Sequence, residues 1–254
     1  MAAPVMSWLE LAVPDLGQAL DFYRAVFTWS SQPIAPRAHP HAWLTGNGVC
    51  FGGASEHDGK EVPPGWAGFV KVDALDAVLD RARALDATVL GEPAALPDLV
   101  RFCRIMDPAG QPLGLFEVLG PGPHDPLPEG ARDPIGWRQL CSPEPEKVAA
   151  FLTALLGWEE LGAHDIGPAG PYRLLGPKGG QAHIGLMRAI PGEPLGWLFY
   201  FDTPDLETSL AAVTAHGGRV ITETMEVPGG TLISHAFDPG MAKFGLIQMP
   251  APQG

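Results

Sequence analysis

The stretch Trp8-Leu9-Glu10-Leu11-Ala12-Val13-Pro14-Asp15-Leu16, which runs on into Asp21-Phe22-Tyr23-Arg24-Ala25-Val26-Phe27-Thr28-Trp29, decides how this chain is read. Successive side chains of a strand point to opposite faces. Ser7 to Val13 therefore predicts a strand with Leu9, Leu11 and Val13 on one face and Trp8, Glu10 and Ala12 on the other. The aliphatic set belongs against a helix, which sends Glu10 to the opposite face. Asp15 followed by Gln18 predicts an N-cap with its capping-box partner. Leu16, Leu20, Tyr23 and Phe27 then recur at helical spacing and end before Trp29. Further on, Gly46-Asn47-Gly48 predicts a tight hairpin between strands at Ala42 to Thr45 and Val49 to Gly53.

The same order begins again with a strand at Trp66 to Val72 and a helix from Asp73 carrying Leu75, Val78, Leu79, Ala82 and Leu85. Strands near Ala87 to Leu90, Val100 to Met106 and Leu113 to Leu119 complete a second βαβββ unit. The whole arrangement then repeats. Trp8, Asp15, Phe22 and Trp29 return as Trp137, Glu144, Phe151 and Trp158 at one constant spacing, and Asp73 and Asp202 keep it. A register held that long implies one structural unit used twice. Helices are expected at Glu144 to Leu156 and Asp205 to His216, capped by Gly157 and Gly217. Prolines and glycines between Gly120 and Pro134 favour an extended linker. The expected division is a first module over 1–122, a linker over 123–133 and a second module over 134–254.

With 254 residues, 46% of them hydrophobic, the chain can bury two ordinary cores. Its 32 glycines and 28 prolines punctuate apolar segments and so read as turns. A formal charge of −13 repels phosphate backbones and anionic membranes, so neither nucleic acid nor a membrane is an expected partner. Cys50, Cys103 and Cys141 are too few and too scattered for a disulfide framework, which fits a reducing cytoplasm. Met1 to Leu9 has neither a basic start nor a long apolar run, so no targeting signal is expected, and no later stretch has the ~18 consecutive apolar residues a membrane span needs. The G-x-S-x-G, Walker-type and H-E-x-x-H motifs do not occur.

The quoted strand and Phe22-Tyr23 helix, with the turns Asp107-Pro108-Ala109-Gly110 and Asp238-Pro239-Gly240, resemble the vicinal-oxygen-chelate superfamily of glyoxalases, bleomycin-resistance proteins and extradiol dioxygenases. The resemblance implies an α+β fold of two tandem modules, each built from two βαβββ units whose curled sheets enclose a cavity. It also implies a divalent metal held by four cavity-facing side chains. Mapped onto this chain, those positions fall on Trp8 and Trp137, near Gly52 and Gly185, on Ala67 and Gly196, and on Gly114 and Gly245. None of these side chains ligates a metal, so no metal and no other cofactor is expected.

Strand alternation places further groups toward the cavity: Phe69 and Lys71 in one copy, and Trp137, Gln139, Cys141, Leu198 and Tyr200 in the other, with His183 and Lys243 as contributors. Glu10, Tyr200 and His235 are the candidate catalytic groups, each weighed against a plain structural role. Trp8, Phe69, Lys71, Trp137, Gln139, His183 and Lys243 are the candidate ligand-binding residues. His39, His41, Glu56 and His57 lie in polar, turn-rich segments and read as solvated surface. If cavity strands pair across modules, Trp8 and Glu10 share a pocket with Tyr200 and Lys243, and Trp137 and Gln139 share one with Phe69 and Lys71. The leading reading is a metal-free protein that binds a small organic ligand as a monomeric pseudo-dimer or a weak homodimer. The others are an acid-base enzyme and a metal-dependent lyase or dioxygenase with ligands from elsewhere.

Overall fold

A computed structural model describes residues 4–34, 39–58, 63–96, 98–122, 132–167, 170–190 and 195–250. The linker read over 123–133 lies outside the described residues as far as position 131. Four βαβββ units follow one another. The first is β1 (Met6–Val13), α1 (Leu16–Phe27), β2 (Ser30–Pro33), β3 (His41–Gly46) and β4 (Val49–Glu56). The second is β5 (Gly65–Lys71), α2 (Leu75–Ala84), β6 (Thr88–Leu96), β7 (Val100–Met106) and β8 (Pro112–Val118). The third is β9 (Ile135–Ser142), α3 (Pro145–Leu156), β10 (Trp158–Asp165), β11 (Pro171–Pro177) and β12 (Ile184–Arg188). The fourth is β13 (Gly196–Asp202), α4 (Leu206–Ala215), β14 (Arg219–Val220), a short extra β15 (Met225–Val227), β16 (Thr231–Phe237) and β17 (Lys243–Gln248).

Local chemistry explains the boundaries. Asp15 caps α1 by accepting from the Gln18 amide at 2.9 Å, and Asp205 does the same for α4 with Thr208 at 3.0 Å. Gly157 ends α3 in the left-handed region, whereas α1 ends on Thr28 in that conformation. Asn47 and Gly48 both take positive φ, as a two-residue hairpin turn requires. The edge strands β2 and β10 carry mostly exposed residues and show no two-residue apolar alternation, so they do not announce themselves in the sequence.

The strands form two open mixed sheets, one of eight strands in the order β2-β3-β4-β1-β5-β8-β7-β6 and one of nine, β10-β11-β12-β9-β13-β17-β16-β14, with β15 on β16. β1 pairs in parallel with β4, β5 with β8, β9 with β12 and β13 with β17. Among the described residues no helix is long and apolar enough to cross a membrane.

By compactness the chain forms two units. One comprises Leu9–Trp66, Asp125–Trp137 and Leu198–Gly254. Its core is aromatic: the Tyr23 ring stacks on Trp29 with centroids 5.3 Å apart, and Trp29 meets Phe51 and Phe201 edge-on. Full burial of each such ring contributes about 1.5–3 kcal/mol. The Tyr23 hydroxyl donates to Asp238 Oδ2 at 3.1 Å and accepts from the Trp66 indole at 3.0 Å. Helices α1 and α4 pack together, and Ser209 Oγ donates to the Val26 carbonyl at 3.2 Å.

The other unit comprises Met1–Trp8, Ala67–His124 and Arg138–Trp197. Here α2 packs on α3, and Arg81 donates to the Leu155 carbonyl at 2.9 Å. The Trp158 indole donates to the Pro4 carbonyl at 2.8 Å, tying down the start of β1.

Candidate functional site

A glycine stands at the centre of each candidate position. On β17, Gly245 is flanked in register by Tyr200 of β13 and His235 of β16. A Cβ at 245 would strike the Tyr200 ring, so the bare backbone lets the phenol lie across it. Above that point Tyr200 Oη and His235 Nε2 are 2.9 Å apart, with the residues only 2% and 8% exposed. Trp137 and Ile233 pack against Leu198, Tyr200 and Ile247. Burial, and then the nearby Lys243 ammonium, depress His235 to a pKa of about 4, so its ring is neutral at physiological pH.

In the same unit Glu10 of β1 stands beside Gly53 of β4, whose partner on β3 is Trp43. His41 Nε2 lies 3.5 Å from Glu10 Oε2, with side chains 12% and 27% exposed. A Cβ on Gly53 would come within 2.6 Å of the His41 ring and 2.8 Å of the Glu10 carboxylate. The reading of His41 as solvated surface is corrected here. The strand begins at His41, and alternation with the buried Ala42 and Leu44 turns His41 and Trp43 toward Glu10. That alternation was the available signal, and the preceding Pro40 obscured it. Nearby, Ser55 Oγ lies 3.0 Å from His57 Nε2.

The second unit repeats the device with other side chains. Gln139 stands opposite Gly185, and Tyr172 lies where a Gly185 Cβ would be while its hydroxyl donates to Gln139 Oε1 at 3.3 Å. Phe69 stands opposite Gly114 with its ring over it and Phe102 edge-on at 6.3 Å. Lys71 follows Phe69 on β5, opposite Phe116. His183 has a different task. Its Nε2 accepts the Met6 amide at 2.8 Å, and burial pushes its pKa down to about 3.

Strands hydrogen-bond within modules, whereas the compact units group Glu10 with Tyr200 and Lys243, and Gln139 with Phe69 and Lys71. Glu10 and Trp8 share the eight-stranded sheet with Phe69 and Lys71, whereas Trp137 and Gln139 share the nine-stranded sheet with Tyr200, His235 and Lys243. Consecutive βαβββ units joined by short connections pair locally.

The metal implied by the resemblance does not fit these residues. Side chains at Gly114, Gly185 and Gly245 would collide with Phe69, Tyr172 and Tyr200, and one at Gly52 would run into the Leu9 carbonyl. Among the described residues no group of three or more His, Cys, Asp or Glu is arranged to hold a metal ion.

Comparison with known proteins agrees with this architecture. The chain is 28% identical over 258 residues to CFP32 of Mycobacterium tuberculosis (strain CDC 1551 / Oshkosh), described provisionally as a glyoxylase, covering 97% of this chain and 95% of that one. Its fold resembles the Mn(II)-bound glyoxalase from Novosphingobium aromaticivorans, with a TM-score of 0.68, 18% identity and 99% and 89% of the two chains covered. It also resembles the 2,3-dioxygenase LapB from Pseudomonas sp. KL28, with a TM-score of 0.66, 16% identity and 98% and 94% covered. The profile of one family matches residues 5–115 and again 135–246, so the chain belongs to the Glyoxalase/Bleomycin resistance protein/Dioxygenase superfamily.

Proposed function

We propose that this protein binds a small organic molecule on the helix-free faces of its sheets, and that it does so without the divalent ion for which the Mn(II)-bound relative is named. One observation carries the reading: aromatic rings lie over Gly114, Gly185 and Gly245, where family ligands would project. Rings and a few polar heads suit an organic ligand better than an ion, since small-molecule sites combine apolar walls with sparse, placed polar groups. The chain works as a single polypeptide whose modules stand in for subunits, in the cytoplasm, and its charge of −13 turns away nucleic acid. An acid-base enzyme is the second reading, favoured by the half-buried Glu10–His41 pair.

Elemental analysis of protein purified without chelators tests the main reading, together with thermal-shift binding of a panel of small aromatics before and after chelator treatment. Binding that ignores the chelator is the expected result. One transition metal per chain, or ligand binding abolished by chelator, would overturn it.

A further inference from the structure

Tyr200, Gly245 and His235 form a row across β13, β17 and β16 at matched register. Because Gly245 has no side chain, the phenol and the imidazole meet above it. Leu198, Ile247, Ile233 and the partly buried Trp137 pack around the phenol. With His235 held at a pKa of about 4, the pair has no net charge at neutral pH. So weak a base is a poor proton acceptor there, since efficient acid-base groups titrate near the working pH. What the pair retains is direction. A phenolic oxygen both donates and accepts, and a neutral imidazole has one donor and one acceptor nitrogen. A cationic ligand head would lose its hydration among apolar walls and be repelled by Lys243, whereas a flat uncharged ring gains by burial.

We propose that the Tyr200–His235 pair is the recognition point for an uncharged, flat aromatic molecule that presents a hydroxyl or carbonyl oxygen and lies against Trp137. This names the ligand class of the metal-free binding site and rests on that reading. It makes both residues binding groups, where the sequence suggests acid-base ones.

Calorimetric titration of the full chain with 2-naphthol, 2-naphthoate and 2-naphthylmethylammonium presents one ring system with a neutral, an anionic and a cationic head. 2-Naphthol is expected to bind at least about tenfold more tightly than the cation, a difference of roughly 1.4 kcal/mol. Tyr200→Phe keeps the ring over Gly245 and removes only the hydroxyl, so it should weaken 2-naphthol by about tenfold. His235→Leu should do the same, and Asp80→Asn, on the exposed face of α2, should leave the affinity unchanged. Thermal melts establish that each variant is folded, and the two site variants stand in for each other if one is not. Unchanged 2-naphthol affinity in a folded site variant overturns the assignment, as does preference for the cation. Loss of binding in Asp80→Asn alone overturns the assignment but leaves metal-free binding standing. Naphthol binding that a chelator abolishes strikes the underlying reading instead.

Discussion

At the scale of single residues, His183 shows how one side-chain type serves two purposes in one fold. His235 turns its ring to a phenol, while His183 spends a nitrogen on the Met6 amide. Burial makes the charge costly and the nearby Arg138 guanidinium repels it, hence a folded pKa of about 3 against an ordinary 6.5. The unfolded chain therefore binds the extra proton first. His183 stabilises the fold fully above pH 6.5, and that contribution is lost as pH falls toward 3. His183→Gln keeps an acceptor and does not titrate. Urea unfolding of both proteins should show the wild type losing about 1.4 kcal/mol more per pH unit than the variant between roughly pH 6 and 4. Parallel pH profiles would refute this. The sequence placed Glu10, Tyr200 and His235 on strands, and alternation sent Glu10 and Tyr200 to a cavity face while leaving the facing of His235 open. It did not reveal that His41 meets Glu10 or that Met6 occupies His183, since those contacts are set by neighbouring strands and distant segments that no local pattern encodes.

At the scale of elements, α1 and the turn before β17 are joined by a hydrogen-bonded chain from the Trp66 indole through Tyr23 to Asp238. Asp238 also accepts the Ala242 amide at 2.8 Å, which shapes the turn that delivers Lys243 and Gly245 to the site. Burial raises Asp238 to about 6. Tyr23→Phe keeps the stacking but leaves the indole donor and the buried carboxyl without the hydroxyl between them. A destabilisation of about 1–3 kcal/mol is expected, measured by chemical unfolding. An effect below about 0.5 kcal/mol would mean that water replaces the hydroxyl with little loss. Both the Phe22-Tyr23 helix and the Asp-Pro turns were visible in the sequence. Their link was not, because Tyr23 and Asp238 lie at opposite ends of the chain.

At the scale of the whole molecule, the repeat shows that the chain contains one pattern twice, and the sheets follow that order. The compact units do not: each takes segments from both halves of the chain. Sequence spacing identifies which segments are alike but carries no information about which helix faces meet. A cut within 123–133 would therefore divide both units. Each half expressed alone would uncover the helix faces that α1 offers α4 and α2 offers α3. Halves made separately should aggregate or bind a hydrophobic dye, and recover native far- and near-ultraviolet circular dichroism only when mixed. Two soluble halves that each unfold cooperatively would show the opposite.

The hairpin between β3 and β4 sets how the protein ages. Asn47 is followed by Gly48, the pairing whose unhindered amide most readily attacks the side-chain carbonyl and converts asparagine to aspartate or isoaspartate. In the folded chain the turn fixes both residues at positive φ, and the Asn47 side chain bonds to Asp202, which together hold the amide away from that attack. Once the turn opens the protection ends. Stored or heated protein should then accumulate an acidic species with one more negative charge, and its appearance on an isoelectric gel would clock the opening of this hairpin.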